Sequence, residues 1–200
     1  MSQPLFDWPG GDDWIDFTAP APHGMRLRRV NAVRDAALLQ QWFGSERGHF
    51  WAMPDKSLAG VRAHYIQMQR SGHACAFLGH AHDHPAFVIE CYDPAHDSLA
   101  AHYQAEPGDL GVHLFVAPPV TRVPHFTRDV FRFALAFVFQ RLGARRVVAE
   151  PDVNNLPIHV LNHSMGFRDV GRIALPDKVA MLTCCTRADF MTCQPKEPRT

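Results

Sequence analysis

Two side chains in the middle of this 200-residue chain suggest chemistry. His113 sits in the apolar run Gly111-Val-His-Leu-Phe-Val116, and Asp152 ends the run Val147-Val-Ala-Glu-Pro-Asp152. Each run reads as a short strand that delivers one ionisable group. Between them lies a segment with Val130, Ala134, Val138 and Leu142 on one stripe and Phe131, Leu135 and Phe139 on another. Apolar surface that wide predicts a largely buried helix over 128–142. Strand, crossover helix, strand implies two parallel neighbours in one sheet. An imidazole and a carboxylate at such a junction are natural acid–base groups, and the helix N-terminus is a natural seat for phosphate. The combination points to an enzyme that handles a phosphate-bearing cofactor. The structural alternatives are a hydrogen-bonded core histidine and an aspartate that caps the next helix.

The remaining composition narrows the field. Twenty basic residues balance twenty acidic ones, and no basic run favours nucleic acid. Hydrophobic residues make up 46% of the chain, enough for a sizeable core, yet no apolar stretch is long enough to span a bilayer. The first residues lack the layout of a signal peptide. Five cysteines with no CxxC pair argue against a disulfide framework or a structural zinc site. A cytoplasmic protein with reduced thiols is therefore expected. The run His80-Ala-His82-Asp-His84 would place three imidazoles on one face of a strand. It reads as a hairpin turn, however, and no metal is expected.

The elements that must position His113 and Asp152 follow from period and punctuation. Residues 25–31 alternate as a strand, and Asn31 is placed to cap a helix with Ala36, Leu39 and Trp42 on one face. Ser57 opens a helix to about residue 70, and strands 74–79 and 86–92 form an antiparallel hairpin. Strand 110–117 stops at Pro118-Pro119, and Thr127 is placed to cap the central helix, which Gly143 ends. Strand 146–150, a helix over 155–165 closed by Gly166, and strands 168–174 and 179–186 complete an α+β domain. That domain is expected over 23–193, between an irregular arm (1–22) and a disordered tail (194–200).

The segment Asn155-x-x-Ile158-x-x-Leu161-x-x-x-x-Gly166-Phe167 resembles the late helix and Gly-Phe turn of the GNAT superfamily of acyl-CoA N-acyltransferases. Four stretches, Phe50-Trp51-Ala-Met53, Glu90-Cys-Tyr92-Asp93, Gly111-Val-His113-Leu and Glu150-Pro-Asp152-x-x-Asn155, resemble its siderophore-biosynthesis branch. So does the tail Leu175-Pro-Asp-Lys178…Cys185-Thr-Arg-x-Asp189-Phe190. The alcaligin-type and aerobactin-type enzymes are nearest, and the likeness covers about residues 25–190.

The resemblance implies a mixed, mostly antiparallel sheet with one parallel splayed strand pair and helices on both faces. It implies transfer of a succinyl or acetyl group from acyl-CoA to an N-hydroxylated diamine such as N-hydroxyputrescine, giving a hydroxamate, without a metal. His113 and Asp152 match the family's acid–base positions. Phe115, Val116 and Ala117 would meet the pantetheine arm. The family's glycine-rich phosphate loop is replaced by Thr121-Arg-Val-Pro-His-Phe-Thr127, which has no glycine. Its phosphate contacts would fall to Arg122, His125, Phe126, Thr127 and Arg128. Trp51 would wall the substrate channel or serve the core. Glu90, with Tyr92 beside it, would bind a distal ammonium or form a surface ion pair. Asn155 would bind substrate or cap a helix. Monomer and dimer stay open. Two other readings are a transferase acting on an ordinary amine, such as a lysine or an aminoglycoside, and a catalytically silent CoA-binding module.

Overall fold

Period-two alternation along the middle strands decides which helices cover which face. The computed structural model describes residues 14–19, 23–51, 53, 55–118 and 121–193, so Trp8 and the tail from Gln194 lie outside the described residues. The strands are β1 (Arg26–Arg29), β2 (Ala74–Ala81), β3 (His84–Tyr92), β4 (Asp109–Val116), β5 (Arg146–Ala149), β6 (Arg168–Ala174) and β7 (Val179–Thr186). They form one seven-stranded sheet in the order β1-β2-β3-β4-β5-β7-β6. Every neighbouring pair is antiparallel except β4 and β5. The helices are α1 (Ala36–Phe43), α2 (Leu58–Ser71), α3 (Phe126–Gln140), α4 (Leu156–Ser164) and α5 (Arg187–Thr192).

Phe77, Ile89 and Val112 point to one face, where α3 packs through Val130, Phe133, Ala134 and Phe137. Their neighbours Ala76, Leu78, Val88 and Phe115 point to the other, under Leu39 and Trp42 of α1 and Val61 and Tyr65 of α2. A sheet covered on both faces needs apolar residues on both, which is why β2 to β4 read as nearly continuous apolar runs. The described part of the N-terminal arm also docks: Trp14 bridges to Arg28, and Phe17 packs on Phe133 and Phe137 of α3.

The expected α+β layout holds, with four local corrections. Asn31 does not cap α1; its Oδ1 accepts from the N–H groups of Val33 and Arg34 in the turn before it. The hairpin strands run further than expected, and His82 and Asp83 make the turn with φ of 47° and 66°. Positive φ at both central positions is the geometry that matches strand twist in a two-residue loop. Thr127 lies inside α3, whose cap is His125 at φ 62° with no side-chain cap bond. Finally, α5 was not expected; Thr186 caps it by accepting from Asp189 N–H. Among the described residues, no helix is long and apolar enough to cross a membrane.

Candidate functional site

The parallel pair opens early. β4 and β5 pair over Asp109–Gly111 and Arg146–Val148, and beyond Gly111 strand β4 keeps its register with β3 alone, through Val116. Ala117 N–H donates to Ala86 on the β3 side. By alternation, the backbone groups of Val116 and Leu114 face the gap instead. A cleft passes through this opening. Val112, Leu114, Phe131, Ile158 and Phe167 line it towards the α3 face, and Trp51, Glu90, His113, Glu150 and Lys178 line it towards the other.

His113 sits at the mouth of the gap because residue parity puts it on the α1–α2 face, beside its cross-strand partner Glu90. Its ring touches a carboxylate at each nitrogen: Nε2 lies 2.6 Å from Glu150 Oε1, and Nδ1 lies 3.4 Å from Glu90 Oε2. Tyr65 of α2 donates its hydroxyl to Glu90 at 2.8 Å, and Tyr92 donates to Glu150 at 2.7 Å. Lys178 Nζ stands 3.8 Å from Glu150, and His64 Nε2 stands 3.4 Å from Glu90. Gly111 makes room for this: a Cβ there would come within 2.0 Å of the Tyr92 ring.

Both carboxylates are buried, which alone would raise their pKa. The neighbouring His113 outweighs burial and holds each at about 2. Burial likewise disfavours the His113 imidazolium, but the charge and hydrogen bond of Glu150, reinforced by Glu90, hold it up at about 10. At neutral pH the cluster is therefore a cation between two anions.

Asp152 lies on the same cleft wall but makes no contact with His113 among the contacts described. Its Oδ1 accepts from Asn154 N–H at 2.7 Å, and its carbonyl accepts from His159 Nε2. It has no ion pair among the described residues, so it is the carboxylate of this wall that no cation neutralises. Asn155 also lines the cleft and gives α4 no side-chain cap bond. Trp51 serves both expected purposes: it stacks on Phe43 and meets Phe115 edge-on, while its other side faces the cleft.

Two expectations change in position. Glu90 is neither a surface group nor free for an ammonium, being buried and engaged by Tyr65, His64 and His113. Tyr92 is buried beneath the His113 ring, 5.0 Å between centroids, instead of standing on the cleft wall. Sequence reasoning passed over Glu150 and Lys178, although both stand inside quoted motifs. It also passed over Asn162, which is 2% exposed and lines the cleft with an Nδ2 that has no partner among the described residues.

A second pocket lies at the start of α3, formed by Arg47, Ala117, Arg122, His125, Phe126, Thr127 and Arg128. Arg47 Nη1 is 3.5 and 3.4 Å from the carbonyl oxygens of Val116 and Ala117, so it leans over the end of the free strand edge. Arg122 has no ion pair among the described residues. The pocket joins unpaired helix N–H groups to positive side chains, the combination that binds phosphate. Phe115, by contrast, is buried between Trp42, Phe43 and Trp51.

The histidine-rich turn does not gather. His80 Nδ1 meets the Asp83 carbonyl, and His82 Nε2 meets His23. Elsewhere His73, Asp93 and His96 bring their ligand atoms within 4.8 Å of one another.

Known proteins share this fold. The Acetyltransferase (GNAT) domain family matches residues 31–175. An N-hydroxyputrescine acetyltransferase of Acinetobacter baumannii is 28% identical over 82% of this chain and 78% of its own length. The N(6)-hydroxylysine O-acetyltransferase of Escherichia coli is 26% identical over 84% of this chain. The chain spans only about half of that relative's length, 54%. The solved structure of AAC(6')-Ib in complex with ribostamycin and coenzyme A superimposes with a TM-score of 0.74 at 17% identity, covering 86% of this chain and 99% of that one. A splayed parallel pair, a cleft through it and a family match over most of the folded residues lead to one conclusion: this chain belongs to the GNAT acetyltransferase family.

Proposed function

We propose that this protein transfers an acyl group from acyl-CoA to the hydroxylamine nitrogen of an N-hydroxylated diamine. The observation that carries the reading is the free edge of β4, which runs from a basic helix N-terminus to the polar cluster around His113. Leu114 offers the pantetheine arm its N–H and carbonyl, and Val116 its N–H, as a sheet edge does to an added strand; the Val116 carbonyl already accepts from Arg47. Arg122, His125, Thr127 and Arg128, with Arg47, hold the phosphates. A thioester supplies an activated carbonyl carbon and a sulfur leaving group. The C–N bond forms, the C–S bond breaks, and one proton passes overall from nitrogen to the thiol. Asp152 takes that proton as the bond forms, the charge of His113 polarises the hydroxylamine or carbonyl oxygen, and a β4 N–H steadies the developing oxyanion.

The relatives favour a hydroxylated amine, since two of them are named for N-hydroxyputrescine and N(6)-hydroxylysine. The acyl group is succinyl or acetyl. Lys178 is the cation on the wall that a succinyl carboxylate would meet. The product is a hydroxamate, a bidentate ligand suited to ferric iron, which places the reaction in siderophore synthesis.

The test supplies acetyl-CoA or succinyl-CoA with N-hydroxyputrescine, N-hydroxycadaverine, putrescine or lysine. Thiol release is read together with ferric hydroxamate colour. Release and colour with a hydroxylated diamine support the reading. Release from the hydroxylated diamine without colour marks transfer to oxygen or to the distal amine and counts against the reading, and release with putrescine but not its N-hydroxy form overturns the proposal.

A further inference from the structure

A histidine that acts as a base must keep a lone pair free for the incoming proton. His113 has none to spare. Its Nε2 faces Glu150 Oε1 at 2.6 Å and its Nδ1 faces Glu90 Oε2 at 3.4 Å. Carboxylates only accept, so both ring nitrogens must donate, and only the imidazolium does that. The two glutamates are fixed in turn. Tyr65 from α2 and Tyr92 from β3 each donate a hydroxyl to one of them, and both glutamates are about 95% buried. The other charged or titratable groups paired with the two glutamates are His64 of α2 and Lys178 before β7. Neither offers an acceptor that would displace a carboxylate from the ring in its protonated form.

We infer that Glu90 and Glu150 are positioning residues that lock His113 as an imidazolium, so that it serves the reaction as a fixed positive charge and never as the base. This rests on the acyl-transfer reading above, and it adds a limit to it. A site whose histidine cannot accept a proton cannot strip one from an incoming alkylammonium. Asp152 remains as acceptor, but a carboxylate is far too weak a base to hold the proton of an alkylammonium that titrates near roughly 10.4. The nucleophile must therefore arrive uncharged. A hydroxylamine does so at neutral pH because its oxygen withdraws electrons from the nitrogen.

Two measurements test this. The first follows the His113 ring by NMR with pH in the intact protein. The wild-type ring should keep its imidazolium shifts from pH 6 to 8.5, whereas in Glu150→Gln the same resonance should titrate within that window. Rates with an N-hydroxylated diamine should fall in this variant as pH rises, while the wild type stays level. A wild-type ring that titrates near its ordinary value overturns the inference, even if the variant does not fold and even if acyl transfer is robust.

The second measurement compares kcat/KM for N-hydroxyputrescine and putrescine. At pH 7.4 the parent amine should be slower by about a thousandfold from ionisation alone, the gap closing about tenfold for each pH unit gained. A ratio that does not change with pH means that the protein deprotonates amines itself, which again overturns the inference. If no amine releases thiol while the ring stays cationic, the acyl-transfer reading fails and the lock on His113 stands.

Discussion

The free edge of β4 has two charged ends built on opposite rules. Around His113 every charge has a partner: two glutamates, two tyrosine hydroxyls and Lys178 satisfy one another in a mostly buried cluster. At the start of α3, by contrast, Arg122 and His125 have no anionic partner among the described residues, although Arg128 stands 3.8 Å from Asp129 in the first turn. The first end is finished before any ligand arrives, and its value lies in fixed orientation. The second is left incomplete, and its value lies in the charge it withholds. Reacting atoms need geometry held to fractions of an ångström, whereas a diphosphate needs attraction and tolerates adjustment.

The contrast breaks most sharply at Asp152, which lines the cleft with the first end but lacks its pairing. Asp152→Asn keeps an oxygen for Asn154 N–H, so the melting temperature should barely move while kcat falls by about a hundredfold to ten-thousandfold. A variant that melts early with modest kinetic change would make Asp152 a turn residue only.

The finished end should show itself next in stability against pH. Glu90 and Glu150 are depressed from 4.5 to about 2, so their contribution is present above pH 4.5 and is lost as pH falls towards 2. His113 is raised from 6.5 to about 10, so its contribution is present below pH 6.5 and is lost as pH rises through 10. Melting temperature should therefore peak between about pH 4.5 and 6.5 as far as this cluster decides it. His113→Gln should flatten the alkaline side, and an unchanged alkaline slope would count against the ion cluster.

The smallest effect belongs to the open end. Arg122→Gln should leave kcat and melting temperature alone and raise the KM for acyl-CoA by about fivefold, or about 1 kcal/mol, at low salt. The difference from wild type should shrink as salt screens the arginine. A salt-independent defect would point to a packing role for Arg122.

The same contrast explains what the sequence made legible. β6 and β7 could be read to the residue because alternation and flanking glycine and proline mark them, and α2 because Ser57 is an ordinary cap accepting from Gly60 N–H. The start of α3 was misread because its cap is a histidine in the left-handed region, where side chains other than glycine rarely signal a turn. For α5 the pattern Thr186-x-x-Asp189 was available as a capping signal and was passed over. In the site, His113 stood out as an ionisable group inside an apolar strand, and Asp152 as a carboxylate just past one. Glu90 and Glu150 needed more: their meeting at one imidazole depends on the register of β3 against β4 and on where β5 lets go. Neither is a local property of the chain.

The strand that loses its neighbour after Gly111 has a dynamic consequence. A row of amides without an acceptor trades hydrogen with water, and a donor laid alongside would silence it. In free protein the Leu114 and Val116 amides should exchange quickly while that of Phe115, turned towards β3, stays protected; adding coenzyme A should slow the first two together. The molecule would then be a sheet that its own reactant temporarily closes, stiffest at the moment of transfer and looser again once product departs.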